Sequence, residues 1–430
     1  MHASMLRTGR KPELLAPAGN MEKLRTALRF GADAVYLAGN RFGLRAGADN
    51  FTLPELSEAM AHVHGLGRKA YLAVNILAHD ADIDSLPAWL EPALETGPDA
   101  VICADPGVMA LVRGIRPDMP IHLSTQANTT NRASALFWHQ AGVSRIVLAR
   151  ELSLAEIAGI RAASPEALEL EVFVHGAMCM AYSGRCLLSR HLTGRDANRG
   201  DCAQPCRWSY AVTEEKRPGE YFPVEQDARG TYLFNARDLC LLRRMPELMA
   251  AGVGSFKIEG RMKSPFYVAT VVKAYREAID AAWEGRWDPA DLECWEREVA
   301  SVSNRGFTEG FLDGQPGPGA QRTDRGGYDR TADFVAIVPE AADDGALASY
   351  TEQAGVAGEG YRVRLEQRNR FRCADLLECL PPVGTAFPVV ILSMTDGEGM
   401  PIDTAPHPQM TVHAVLSAPV PSGSLLRRPV

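Results

Sequence analysis

Four of the chain's nine cysteines fall within one stretch, Glu171 to Tyr210, which reads EVFVHGAMCMAYSGRCLLSRHLTGRDANRGDCAQPCRWSY. Six residues separate Cys179 from Cys186, fifteen separate Cys186 from Cys202, and three separate Cys202 from Cys206. A fifth, Cys240, follows after a further 33 residues. Thiolates are nucleophiles and soft metal ligands, so clustered cysteines in a reducing compartment point to metal or redox chemistry. Four of them suit a four-iron four-sulfur cluster or a tetrahedral zinc. The spacing matches neither the tight ferredoxin run nor a zinc ribbon, and only Cys202 and Cys206 are close enough to pair as structural zinc ligands do. His175 lies four residues before Cys179, which leaves a Cys–His nucleophile pair open. Such a pair needs one thiol singled out by the fold and a third group to orient it. Cys103 reads as a buried small hydrophobe, and Cys294, Cys373 and Cys379 carry no pattern. P-loop, HExxH, Ser–His–Asp and strict GxGxxG signatures are absent.

The elements that must position these residues are legible around them. Eight short apolar runs recur: Glu13–Gly19, Ala34–Gly39, Ala70–Leu77, Ala100–Asp105, Ile121–Gln126, Arg145–Arg150, Glu171–Gly176 and Ser255–Gly260. Runs this apolar suit strands covered on both faces. Helical patterns lie between most of them: Met21–Phe30, Leu53–His64, Ala81–Glu95, Ala133–Ala141 and Leu154–Ala163. Asn20 reads as an N-cap, and Gly31, Gly65, Gly97 and Gly142 as C-caps. The pattern predicts an α/β fold, a (β/α)₈ TIM-like barrel, over a doubly wound sheet. Its active site then lies at the strand C-termini, where Asn20, Asn40, Asn75, Asp105, Gln126, Arg150, His175 and Glu259 fall. A structural zinc has little reason to sit at such a mouth, which favours iron–sulfur over zinc.

The domain reading is a barrel over residues 1–310 with a cysteine-rich insertion at 177–254, a glycine-rich linker at 311–331, and a small antiparallel β domain at 332–430. Asn235–Gly252 reads as a helix with Cys240 in its first turns. Ser264–Gly285 and Asp291–Ser301 are further helices. Phe334–Pro339, Tyr361–Leu365, Thr385–Ser393 and Met410–Leu416 read as strands, and Ser422–Val430 as a short tail.

At 46% hydrophobic and 23% charged residues, the composition is that of a globular protein. No apolar run approaches the ~18 residues of a membrane span, and the N-terminus shows no apolar leader core. The expectation is a cytoplasmic protein with no membrane partner. A net charge of −8 disfavours a broad nucleic-acid surface, so RNA would need a local patch. Arg185, Arg190, Arg195, Arg199 and Arg207, against Asp196 and Asp201, supply one candidate.

The run Glu171–Cys179, continuing to Ser189, resembles the signature of the peptidase U-32 (collagenase-like protease) family. Leu15–Gly19 and Lys257–Pro265 resemble it too, and the similarity covers roughly residues 12–310. The resemblance implies an oxygen-independent hydroxylase more than a peptidase. Its branches act on a wobble uridine in tRNA, a cytidine in rRNA, or the ubiquinone ring. It implies a 4Fe–4S cluster on Cys179, Cys186, Cys202 and Cys240, leaving Cys206 unassigned, with prephenate as hydroxyl donor for the RNA branches. Length and the single C-terminal β domain look most like the branch that forms 5-hydroxyuridine in tRNA. On this reading His175 and Glu259 do acid–base or donor-binding work, and Arg185, Arg199 and Arg207 meet RNA phosphates. The β domain helps hold the anticodon arm, and an electron-donor protein is a further partner. The alternatives are a protease, an rRNA cytidine hydroxylase, and a non-enzymatic iron–sulfur partner protein.

Overall fold

Each of the first seven apolar runs becomes a parallel strand: β1 (Glu13–Pro17), β2 (Ala34–Leu37), β3 (Lys69–Ala73), β4 (Ala100–Cys103), β5 (Ile121–Leu123), β6 (Arg145–Val147) and β7 (Glu169–Gly176). The computed structural model describes residues 9–44, 49–178, 186–208, 211–212, 222–223, 236–316, 320, 328–339 and 360–430. After β7 come a short antiparallel pair, β8 (Ala211–Val212) and β9 (Phe222–Pro223), then β10 (Asp238–Cys240). The eighth barrel strand is β11 (Ser255–Ile258), which pairs in parallel with both β7 and β1 and closes the sheet.

The helices are α1 (Met21–Arg29), α2 (Leu53–Gly65), α3 (Asp80–Ser85), α4 (Pro87–Glu95), α5 (Pro106–Ile115), α6 (Arg132–Gln140) and α7 (Leu154–Ala163). Then follow α8 (Leu188–Thr193), α9 (Met245–Ala250), α10 (Pro265–Glu284) and α11 (Pro289–Ser301). Side chains of Asn20, Thr52, Asp105, Asn131, Ser153 and Ser264 accept backbone N–H groups at six helix starts, satisfying donors that have no partner within the helix.

Four local expectations fail, each for a physical reason. The helix expected over Ala81–Glu95 breaks at Pro87, which has no N–H to donate and so begins α4. Gly65 ends inside α2, and Gly67, at φ +65°, is the left-handed residue that follows. α5, which starts at Pro106 and contains Gly107 and Gly114, was hidden by that composition. Most consequential, Asp238–Cys240 is a strand and not the start of a helix. It pairs antiparallel with the end of β7, Cys240 opposite His175 and Leu239 opposite Gly176. β7 runs to Gly176, one residue past its last pairing with β11 at His175 and five past its last pairing with β6 at Glu171, and the edge left open recruits β10 through tertiary pairing that outweighs local helix propensity. On its other side β10 pairs with β12 (Phe307–Thr308), inside the stretch read as leaving the barrel.

The chain divides into two units, 1–296 with 304–329, and 297–303 with 330–430. The second is built from β13 (Ala332–Ile337), β14 (Tyr361–Gln367), β15 (Phe371–Arg372), β16 (Leu376–Leu380), β17 (Phe387–Asp396), β18 (Thr404–Ala405), β19 (Thr411–Leu416) and β20 (Leu425–Pro429). Six of these close into an antiparallel barrel in the order β13-β14-β19-β17-β16-β20. Val335, Val363, Leu365, Leu377, Ile391, Val412 and Leu426 fill its core. The stretch read as a tail is therefore a structural strand, β20. Arg427 fits there because Glu298 and Glu378 hold its guanidinium at 2.6 and 2.9 Å. Among the described residues no helix is long and apolar enough to cross a membrane.

Candidate active site at the C-terminal end of the barrel

The lower half of the barrel interior is charged. Glu171, on β7, is fully buried, and Lys257 Nζ donates to it at 2.9 Å, Arg145 Nη1 at 3.1 Å and Ser255 Oγ at 3.1 Å. Arg145 also grips Glu13 at 2.6 Å and Glu169 at 2.7 Å, while the Tyr71 hydroxyl donates to Glu13 at 2.7 Å. Burial opposes the charge on Glu171, yet Lys257 and Arg145 hold its carboxyl down to about 2. A buried ion network of this kind persists only when each charge is paired and hydrogen-bonded.

Above this plug opens a cleft of ≈ 660 Å³, counting the solvent at its mouth. Lys257 forms its floor, with Nζ 4.5 Å from the Tyr36 ring centre and 5.5 Å from that of Phe173. Two further cations reach the wall. Arg150 lies over the Phe173 ring at 5.0 Å and donates to the Ala177 carbonyl at 2.8 Å. Arg261, almost fully buried, donates to the Leu44 carbonyl. Glu259 is the cleft's carboxylate, 3.4 Å from the Tyr36 hydroxyl, which itself donates to the Ile258 carbonyl at 3.0 Å. Asn75, Ser124, Thr125 and Gln126 complete the polar lining. Gly176 makes this packing possible. Its φ is +107°, and a Cβ there would meet the Glu259 carbonyl oxygen at 2.5 Å.

His175 is not in that lining. It sits behind the wall, boxed by the rings of Tyr267, Tyr275 and Phe307, with Nδ1 3.3 Å from the Tyr275 hydroxyl. Burial lowers its pKa to about 3, so the ring is neutral at ordinary pH. The Tyr275 hydroxyl is a hub: it donates to the Val174 carbonyl at 2.7 Å, accepts from Leu241 N–H at 3.0 Å and lies 3.8 Å from Cys240 Sγ. Burial pushes the Cys240 thiol up to about 11.

The insertion is tied to the barrel beside the cleft. Both Nη atoms of Arg199 donate to Asp82, at 2.7 and 2.8 Å, and Leu77 N–H donates to the Asn198 carbonyl at 3.0 Å. The Asn198 side chain brackets Cys186, accepting its N–H at 3.0 Å and donating to its carbonyl at 3.1 Å. Asn198 also lines a smaller cleft with Asn75, Asp105 and Gln126. Arg190 and Arg195 pair with Asp196 and Asp201.

Of the expected site residues, Glu259, Asn75, Gln126 and Arg150 meet in the main cleft. Asn20 caps α1 and Asp105 caps α5. Cys179, Arg185 and the side chain of Arg207 lie outside the described residues. Among the described residues Cys186, Cys202, Cys206 and Cys240 take part in no disulfide, and Cys202 Sγ accepts the Gln204 N–H at 3.3 Å. Thiols with donors aimed at sulfur suit a thiolate-ligated cluster in kind. Among the described residues, however, no three Cys, His, Asp or Glu side chains stand together as a metal-binding group. Lys257, Arg261, Tyr36, Ser124 and Thr125 were not anticipated. The sequence hint for Lys257 was slight: it lies two residues before Glu259, just ahead of the end of β11.

A parallel (β/α)₈ barrel with a cationic, polar cleft at its strand C-termini has its ligand site where such barrels carry their chemistry. The chain belongs to peptidase family U32, whose pattern matches residues 19–322, with the Peptidase family U32 C-terminal domain over residues 330–427. It is similar to "tRNA hydroxylation protein P1" of Bacillus subtilis strain 168, 37% identical over 97% of this chain and 95% of the relative. "tRNA hydroxylation protein P" of Escherichia coli K12 is 39% identical over 91% of each. The Escherichia coli K12 "23S rRNA 5-hydroxycytidine C2501 synthase" is 36% identical over 71% of this chain but 46% of its own length.

Proposed function

We propose that this chain is a tRNA-modifying hydroxylase that forms 5-hydroxyuridine at the wobble position without dioxygen. The observation that carries the reading is the end-to-end likeness, over both units, to two tRNA hydroxylation proteins. The rRNA-modifying relative, by contrast, has more than half its length outside the match.

In this reading Cys179, Cys186, Cys202 and Cys240 hold a four-iron four-sulfur cluster, which supplies one-electron chemistry when bound. Asn198 fixes the backbone of Cys186, and Tyr275 stands beside Cys240. The hydroxyl donor is a small carboxylate, proposed to be prephenate, seated in the main cleft. Arg150, Lys257 and Arg261 face its negative charge there, and guanidinium groups are well matched to carboxylates. Asn75, Ser124 and Gln126 orient its polar atoms. Glu259, beside the Tyr36 hydroxyl, is placed to take or return a proton at the donor's oxygen. The partners are tRNA, the donor and a protein that delivers electrons.

The test is mass spectrometry of tRNA nucleosides from a strain lacking the gene, grown with and without oxygen. 5-Hydroxyuridine and its derivatives should fall, and return with the intact gene but not with Cys186→Ala. Unchanged levels under anaerobic growth would overturn the proposal. Loss of a hydroxylated rRNA cytidine instead would move the activity to the ribosome.

A further inference from the structure

The C-terminal barrel carries charge on its outside that its own fold leaves uncompensated. Along β14, Val363, Leu365 and Gln367 turn into the core, while Arg362, Arg364 and Glu366 turn outward. Register places Arg362 opposite Val415 and Arg364 opposite His413 on β19. Across β19, His413 stands opposite Thr395 and Val415 opposite Ser393 on β17. Arg362, Arg364, His413 and Ser393 are exposed. Of the nearby carboxylates, Glu366 is held by Arg368 at 2.9 Å, and Asp396 caps its own turn through the N–H groups of Glu398 and Met400. Among the described residues neither Arg362 nor Arg364 has an acidic partner. Arg370 and Arg372 follow, also exposed, in the hairpin beyond β14. Residues 360–430 hold seven Arg against six Asp or Glu, a net of +1 in a chain of −8.

We propose that the outward face of β14, β19 and β17 is a docking surface for the phosphate backbone of an RNA, with Arg362, Arg364 and His413 as its contacts. This rests on the reading of the protein as an RNA-modifying enzyme. The face fits phosphates in its chemistry. Two arginines two residues apart on one strand sit about 7 Å from each other, so each can engage a different phosphate. The hydroxyls of Ser393 and Thr395 add neutral donors of the kind that meet sugar–phosphate oxygens. A protein partner would need an apolar or aromatic centre, and among the described residues the apolar side chains turned outward on this face are the small aliphatic group Val390, Leu392 and Val415. Phosphate contacts position a nucleic acid without reading its sequence. The face would therefore hold the RNA body while the nucleotide to be modified is chosen at the (β/α)₈ barrel.

The test compares binding of unmodified tRNA by the full chain and by its Arg362→Gln/Arg364→Gln variant across a range of salt concentrations. Both side chains point out of the core, so unchanged thermal unfolding checks that the variant is folded. Loss of two phosphate contacts should weaken binding roughly 10- to 100-fold near 0.1 M salt and reduce the slope of log K against log salt by about 1.5 to 2. Arg286→Gln, an exposed arginine paired with Glu284, should change neither. If the wild-type chain binds tRNA and the double variant matches it in affinity and slope, the docking surface is refuted while the RNA reading stands. If the wild-type chain binds no RNA, the RNA reading falls and the docking surface with it. If the double variant loses only the capture of poly-glutamate, the face belongs to an acidic protein and the proposal is overturned.

Discussion

Replacing Glu171 with Gln tests the charged plug beneath the cleft. The substitution keeps the shape and one carbonyl acceptor but removes the charge. Arg145 keeps Glu13 and Glu169 as partners. Lys257 does not fare as well, because Glu171 is the carboxylate it pairs with, at 2.9 Å, and its side chain is only 4% exposed. Removing one partner from a buried ion pair costs about 3–5 kcal/mol, much of it the penalty of the charge left behind. For a barrel of this size one kcal/mol moves Tm by about 2 °C, so Glu171→Gln should lower the transition by roughly 6–10 °C. The chain provides its own reporter. All six tryptophans, from Trp89 to Trp295, lie in the first unit, so tryptophan fluorescence on heating follows that unit alone. Removing both charges, as Glu171→Gln/Lys257→Met, should recover most of the loss, since a buried pair replaced by a well-packed apolar group is often close to neutral. A fall below about 2 °C for the single variant, or a double variant less stable than the single, would refute the view that Lys257 depends on Glu171.

Two further outcomes follow from the same geometry. The Glu171 carboxyl is depressed from 4.5 to about 2, so its contribution is complete above pH 4.5 and is lost as pH falls towards 2. That amounts to about 3 kcal/mol, and urea unfolding of Glu171→Gln should depend on pH less steeply than wild type by that amount across this window. Gly176→Ala should cost about 1–3 kcal/mol through its positive φ and, by pushing on the Glu259 carbonyl, weaken donor binding in the cleft. Gly254→Ala, whose Cβ would find its nearest neighbour at 3.8 Å, should stay within about 0.5 kcal/mol in the same denaturation assay.

The eight barrel strands were legible because both of their faces are covered, which writes each as a continuous apolar run. Their polar ends marked the cleft through Asn75, Gln126, Arg150 and Glu259, since barrel architecture puts strand C-termini at the ligand. Lys257 was harder to see. It lies within an apolar run, and its charge is tolerable only because Glu171, Tyr36 and Phe173, far away in sequence, surround it. No local pattern encodes such a pairing. β16 and β20 escaped for a related reason. Glu378 and Arg427 face outward and Arg428 follows directly, which blurs the alternation, and ion pairs of Arg427 with Glu378 and Glu298 and of Arg428 with Asp375 make those charges acceptable in a closed barrel.

The strand at Asp238–Cys240, within a stretch whose later part, α9 (Met245–Ala250), is helical as expected, bears most directly on the candidate site. Leu239, Leu241, Leu242 and Met245 recur at spacings a helix would use, and local sequence favours that answer. The edge of β7 decides otherwise, because its outer residues need backbone partners where the barrel neighbours end. β10 supplies them and is in turn covered by β12, and the register sets Cys240 opposite His175 with Tyr275 bonded to the backbone on either side. A thiol on a helix's first turn would sit at the surface on a frayed end. A thiol on a strand held from both sides is buried and fixed in position at the rim of the barrel. Pre-positioning of that kind is what a ligand site needs, and it arises from a pairing between segments more than sixty residues apart.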